Sequence, residues 1–171
     1  MSDVLERGTL LYDDGQYHSA FSILMPLAES GNAKAQYLIG TILQLGLADF
    51  DSVADEDLDW VYNREIDSDA AQQKFMDELD SAAGWFAKSS RQGFAPATNS
   101  LGDLYLQGVG NLSAHDARIQ AKELYSLARA QQLASLDHSL RTQLPNNTYR
   151  EDYGWRIVRE SSHSLNFDIA R

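Results

Sequence analysis

The chain has 171 residues, of which 43% are hydrophobic, with no cysteine and a net charge of −11. This length supports one domain with a core, and the missing thiols exclude disulfides, cysteine nucleophiles and cysteine-ligated zinc. The start, MSDVLERGTLLYDDG, is acidic where a signal peptide is basic, and no apolar run is long enough to span a bilayer. We therefore expect one cytoplasmic domain, residues 1–171, with no membrane contact.

The negative charge is concentrated in one part of the chain. Residues 49–80 contain 12 acidic and 2 basic residues, so they hold 10 of the 11 net negative charges. Nucleic-acid binding requires a basic face, and this distribution argues against it. A protein partner with a basic surface is the electrostatic complement.

Two helices are predicted between Ser19 and Gly46. In SAFSILMPLAESG apolar residues recur at spacings of three and four, and Gly31 stands where a helix C-cap belongs. The next stretch, AKAQYLIGTILQLG, repeats this logic and ends at Gly46. Together they predict a helix–turn–helix unit.

An acidic insertion follows, at about residues 47–70. Its acidic segment, defined here by six carboxylates and no base, comprises Asp49, Asp51, Asp55, Glu56, Asp57 and Asp59. The segment does not match a calcium-binding loop. It has Ala54 where such a loop requires glycine, and Trp60 where the loop requires a bidentate glutamate. Trp60 and Tyr62 beside the charges favour contact with a partner protein, and a solvated loop is the alternative.

A long helix is predicted at about 68–91, followed by a second copy of the first unit. The sequence of residues 19–46 aligns with that of residues 81–108 without a gap. Of 28 aligned positions, 7 are identical, where chance gives about two. The shift from position 19 to position 81 is named here the first offset. Gly40 and Gly102 coincide inside predicted helices, where glycine costs about 1 kcal/mol relative to alanine. This coincidence predicts that a neighbouring helix crosses closely at both glycines.

A weaker third copy follows the second at a shorter shift, from position 82 to position 121, named here the second offset. This copy has Gln132 and Arg141 where the earlier copies have glycine, as expected for a terminal unit. Beyond it, about 145–171 leave the pattern and predict a C-terminal cap. Because one helix pair cannot bury its apolar face alone, the sequence predicts an all-α protein, a short α/α solenoid of two to three repeats.

The motifs GNAKAQYLIGTILQLG, AAGWFAKSSRQGFAPATNSLGDLYLQGVG and QAKELYSLARAQQ resemble Sel-like repeats, which are relatives of tetratricopeptide repeats. The opening LLYDDGQYHSAFSILMPLAESG resembles the half-repeat that often begins such arrays. The similarity covers about residues 8–140 and leaves out the acidic insertion. It implies an α-helical scaffold for protein–protein interaction, usually without catalysis.

Polar residues mark a second candidate partner surface. Asn99, Asp103 and Gln107, named here the polar stripe, recur every four residues opposite an apolar face. Their counterparts in the first copy are Tyr37, Thr41 and Leu45. The resemblance implies that such inner helices line a concave binding face; packing of Tyr37 and Leu45 under the insertion or the N-terminal helix is the alternative.

No catalytic or cofactor motif emerges from the sequence. The four histidines do not form helical pairs, and GVGNLS lacks the Gly-Lys of a phosphate-binding loop. Together with what the resemblance implies, this favours a non-enzymatic interaction module without cofactor or metal. The sequence leaves the oligomeric state open, with a monomer favoured. An immunity protein that neutralises a toxic effector is the leading form, and an adaptor or regulatory scaffold that binds on its concave face is the alternative.

An enzyme or metal-regulated protein is an alternative from another functional class, and it would use the carboxylates of the acidic segment. We predict no heat of binding in calorimetric titrations with calcium, magnesium or manganese at submillimolar concentration. A saturable heat that disappears when Asp55 and Asp57 are replaced by asparagine would contradict this prediction.

Overall fold

The computed structural model describes residues 2–48 and 69–143, and all of its regular structure in these ranges is helical. The helices are α1 (Ser2–Asp13), α2 (Tyr17–Glu29), α3 (Ala33–Gln44), α4 (Asp69–Ser90), α5 (Ala95–Leu106) and α6 (Ala114–Gln143). The predicted all-α class is confirmed. The acidic segment, Trp60, Tyr62 and the C-terminal cap lie outside the described residues.

Each helix packs against the helix that follows it in the chain. This holds from α1 to α6, and α1 also touches α3. The helix predicted at about 68–91 is α4, which is nearly twice as long as α3 or α5. Its N-terminal turns carry Phe75 and Met76, which pack against the core that α4 shares with α5.

Turns end the helices where the sequence places glycine. Gly31 and Gly93 have φ angles of 98° and 85°, and Gly46 and Gly108 have 64° and 103°. Residues other than glycine rarely adopt this left-handed region, so these turns select glycine. After the first turn, the Asn32 side chain accepts a hydrogen bond from the amide of Ala35 at 2.9 Å and caps α3.

The buried side chains form two cores. The first joins α2 and α3 around Leu24, Ile39 and Ile42, and the second joins α4 and α5 around Phe86 and Leu104. Full burial of such side chains contributes about 1.5–3 kcal/mol each. Tyr37 packs against both cores and therefore connects them.

Glycines inside helices face bulky side chains of the next helix. A Cβ built on Gly40 would lie 2.6 Å from Cε1 of Phe86, and one on Gly102 would lie 2.9 Å from Cε1 of Tyr125. The close approach predicted at both glycines is thus confirmed. A third case, which the sequence comparison missed, is Gly8, whose added Cβ would lie 2.5 Å from Cδ2 of Leu24. We call these pairs the three glycine contacts.

The bulky side chains of the three glycine contacts lie at equivalent positions of the sequence copies. The first offset carries Leu24 onto Phe86, and the second offset carries Phe86 onto Tyr125. The same two offsets that relate the sequence copies therefore relate the side chains that fill the space over each glycine.

Replacing Gly40 by alanine tests the glycine contact with Phe86. Phe86 is fully buried, so its ring has little room to move, and we expect the free energy of unfolding to fall by about 1–2 kcal/mol even after the gain in helix propensity. Chemical denaturation monitored by circular dichroism measures this.

Gly84 provides the matched control, because it is helical and exposed and an added Cβ would meet nothing within 4 Å. Gly84→Ala should raise the free energy of unfolding by about 0.5–1 kcal/mol. Equal effects of the two substitutions would contradict the close approach at Gly40.

Candidate partner-binding surface

The polar stripe lies on the solvent side of α5. Asn99, Asp103 and Gln107 are exposed, whereas Leu101 and Leu104 on the opposite face are buried in the second core. The amphipathic pattern read from the sequence is confirmed for α5, and its polar face remains accessible to a partner.

Asp103 in the polar stripe also has a structural contact. The hydroxyl of Tyr125 on α6 donates a hydrogen bond to Oδ1 of Asp103 at 2.6 Å. This bond, with desolvation and the negative charge of Asp103, raises the pKa of Tyr125 to about 12. The bond holds α5 and α6 together along their exposed seam.

The counterparts of the stripe, on α3 and directly after it, are half-buried. Tyr37 is half-buried, with ring centroids 5.9 Å from Phe86 and 5.3 Å from Phe94. The Thr41 hydroxyl donates to the carbonyl of Tyr37 at 3.0 Å, and Leu45 packs against the first core. Sequence periodicity did not predict that Tyr37 packs against aromatic residues of the second copy.

Beside Asn99 the surface forms a groove. It has a volume of about 350 Å³ and lies between the start of α5 and the C-terminal half of α6. Phe94, Pro96 and Leu136 provide apolar walls, and Asn99 and Gln131 provide amides. The sequence did not predict this groove because it depends on α6 continuing past Gln132, where earlier copies turn at glycine.

Hydrogen bonds from the buried polar side chains of Gln36 and Thr98 link the helix pairs. Nε2 of Gln36 donates to the carbonyl of Ala28 at 2.9 Å, and its Oε1 accepts from Nε2 of Gln92 at 2.8 Å. In the next unit, Thr98 donates to Oε1 of Gln131 at 2.6 Å. In the described residues every buried side-chain polar atom has a hydrogen-bond partner, as a stable polar layer requires.

This polar layer follows the same offsets as the glycine contacts. The first offset carries Gln36 onto Thr98, and the second offset carries Gln92 onto Gln131. Sequence comparison missed the correspondence between Gln36 and Thr98 because the two residue types differ. In the structure each side chain bonds to a residue of the following unit.

The acidic segment lies outside the described residues. The described residue just before it makes a hydrogen bond to α2. Nδ1 of His18 lies 2.9 Å from the carbonyl oxygen of Ala48, the last described residue before the segment. The ring nitrogen acts as donor, because the carbonyl only accepts. This bond ties the end of the first unit to the start of α2.

Metal ligation and membrane insertion have no support in the described residues. Within residues 2–48 and 69–143, no group of three or more His, Cys, Asp or Glu side chains is arranged to hold a metal ion. None of the helices in these ranges is both long and apolar enough to cross a membrane.

Comparisons of the chain with protein-family models, with curated proteins and with solved structures find no match. The resemblance to Sel-like repeats therefore stays a prediction from the sequence.

The Tyr125–Asp103 bond predicts a specific titration. The fold stabilises the neutral phenol, so the bond favours folding below the ordinary pKa of 10.0 and this contribution is lost as the pH rises through about 12. Absorbance titration at alkaline pH should show a late-ionising tyrosine component that Tyr125→Phe removes.

Asp103→Asn should lower the pKa of Tyr125 toward 10.0, because the largest cause of the shift disappears. Titration curves of the parent and Asp103→Asn proteins that coincide would contradict the bond.

Proposed function

We propose that the protein is a non-enzymatic scaffold for protein–protein interaction, built from Sel-like helix pairs that stack as a short solenoid. The observation that carries this proposal is the set of three glycine contacts, whose bulky members recur at the offsets of the sequence copies. Sequential packing of all six described helices supports it as well, because stacked repeats contact only their neighbours.

Within this class we propose an immunity protein that binds and neutralises a basic toxic effector in the cytoplasm. Support comes from charge: residues 49–80 hold nearly all the net negative charge, and the acidic segment has no base. A dense negative segment accelerates encounter with a cationic partner, and rapid association favours inhibition.

An adaptor or regulatory scaffold is the second candidate. It is favoured by a separate observation, namely the exposed polar stripe with the groove of about 350 Å³ beside Asn99. Such a groove can accept an apolar side chain of a partner while the amides orient it.

Kinetic binding measurements separate the two candidates, using as partner the product of a gene adjacent to this one that inhibits growth when expressed alone. The variant under test replaces the six carboxylates of the acidic segment by their amides. For an immunity protein, it should lower the association rate constant by about tenfold or more at low salt and lose protection of growth.

The control replaces six other exposed carboxylates by their amides. These are Glu6, Asp13, Asp14, Glu29, Asp80 and Glu123. Both variants have the same net charge, so a rate that falls equally in both would contradict a role for the acidic segment.

The adaptor function predicts the opposite pattern. Replacing Asn99, Asp103 and Gln107 by alanine should abolish binding, and the acidic segment should be dispensable. Full binding by both sets of variants would contradict both candidates.

A further inference from the structure

One face of α6 is basic and open to solvent. Arg118, Lys122 and Arg129 are exposed, and with Leu106 and Tyr125 they line an open groove of about 420 Å³, named here the α6 groove. No carboxylate in the described ranges forms an ion pair with any of the three cations. Three cations without an ion pair on one helix face stand out in a chain of net charge −11, and the carboxylate of Asp103 bonds to Tyr125 of the same groove.

The equivalent face of α4 receives the next helix. The second offset relates the three cations to Leu79, Ala83 and Ser90. Leu79 and Ala83 belong to or pack against the second core, which α4 shares with α5. The hydroxyl of Ser90 lies 2.7 Å from that of Thr98 on α5.

The same face of α2 also receives a helix. The first offset relates the three residues of α4 to Tyr17, Phe21 and Ala28. All three lie in or pack against the first core, which α2 shares with α3. The α6 groove thus corresponds to the faces of α2 and α4 that each accept the next helix. In the groove, cations replace the apolar and small residues of those two faces.

The charges specify what this surface accepts. Arg118, Lys122 and Arg129 are spaced by four and seven residues, or about 6 and 10.5 Å along the helix axis. Carboxylates at the same spacing on a second helix meet all three, with Leu106 and Tyr125 available to its apolar side chains. We propose that the α6 groove is the docking site for an acidic amphipathic helix of a partner protein.

Charge also argues against the chain's C-terminal residues and against a second copy as the occupant. Residues 144–171 contain four acidic and four basic residues, so they have no excess of negative charge to match the groove. Two copies of a protein of charge −11 repel each other. The groove residues differ from those of the polar stripe, although Tyr125 of the groove bonds to Asp103 of the stripe. The test below uses a peptide and not the toxic effector, so its failure is distinguishable from failure of the proposed immunity function.

The test uses a fluorescein-labelled peptide of about 18 residues, long enough to form a helix, with glutamates at i, i+4, i+7 and i+11 among alanine, leucine and glutamine. Fluorescence anisotropy with the full chain should show saturable binding that weakens as salt rises from about 50 to about 300 mM. Arg118→Glu/Lys122→Glu/Arg129→Glu should weaken it by about tenfold or more.

The matched control reverses three exposed cations elsewhere, Arg7→Glu/Lys34→Glu/Arg91→Glu. Both triple variants have the same net charge, so the control should bind the peptide within about twofold of the parent. The neutral triple variant with glutamine at the three groove positions should also bind more weakly, while retaining the parental circular dichroism spectrum. A peptide with the same composition but glutamates on all faces should bind about tenfold more weakly than the patterned one.

Three results would overturn the proposal. The first is absence of saturable binding, or equal loss in both triple-reversal variants. The second is light scattering that shows self-association of the parent and none in the groove variant, because the occupant is then a second copy. The third is increased hydrogen exchange in residues 49–68 or 144–171 of the groove variant, because a segment of the chain itself then occupies the groove.

Discussion

The close approach of consecutive helices at the three glycine contacts is the constraint on which the other packing depends. Where Gly40 faces Phe86, the missing side chain lets the aromatic ring sit directly against the α3 backbone. The ring is then fully buried and can join the second core. A larger residue at the glycine would separate the helices and remove contacts on both sides.

The two cores are coupled through side chains that belong to more than one helix pair. Tyr37 lies between Phe86 and Phe94 and packs against both cores, and Gln36 bonds to Gln92 across the same boundary. Because these contacts span different units, loss of one unit would expose apolar and polar groups of its neighbour. Such nearest-neighbour coupling is how stacked helix pairs fold cooperatively.

Much of this packing follows from local sequence rules. Helix periodicity and the turn glycines identified α2 to α5 and most of their ends, and the repeated glycine at positions 40 and 102 identified where helices cross. Neither α1 nor the unbroken length of α6 was predicted. The contact at Gly8 and the bond between Thr98 and Gln131 were missed, because they depend on geometry rather than on repeated residue identity. Packing of Tyr37 was an alternative from the sequence, but its contacts with Phe86 and Phe94 were not predicted, since periodicity gives a face of a helix and not what covers it.

The candidate surfaces show a similar division. The polar stripe is exposed as its pattern predicted, whereas the two grooves arise from the unbroken length and the charge of α6, neither of which matches the repeat. The packing contacts thus follow the repeated positions, and the two grooves lie where the chain departs from them. Asp103 and Tyr125 belong to both sets, since their bond joins α5 to α6 while both residues line candidate surfaces.

A double-mutant cycle between Gly40→Ala and Phe86→Val tests the central packing claim most directly. The valine lacks the ring atoms that face Gly40, so the account predicts that Gly40→Ala destabilises the parent but no longer destabilises the Phe86→Val protein, a coupling of about 1 kcal/mol or more. The same loss of stability in both backgrounds would show that the ring does not sit on the glycine and would contradict the account.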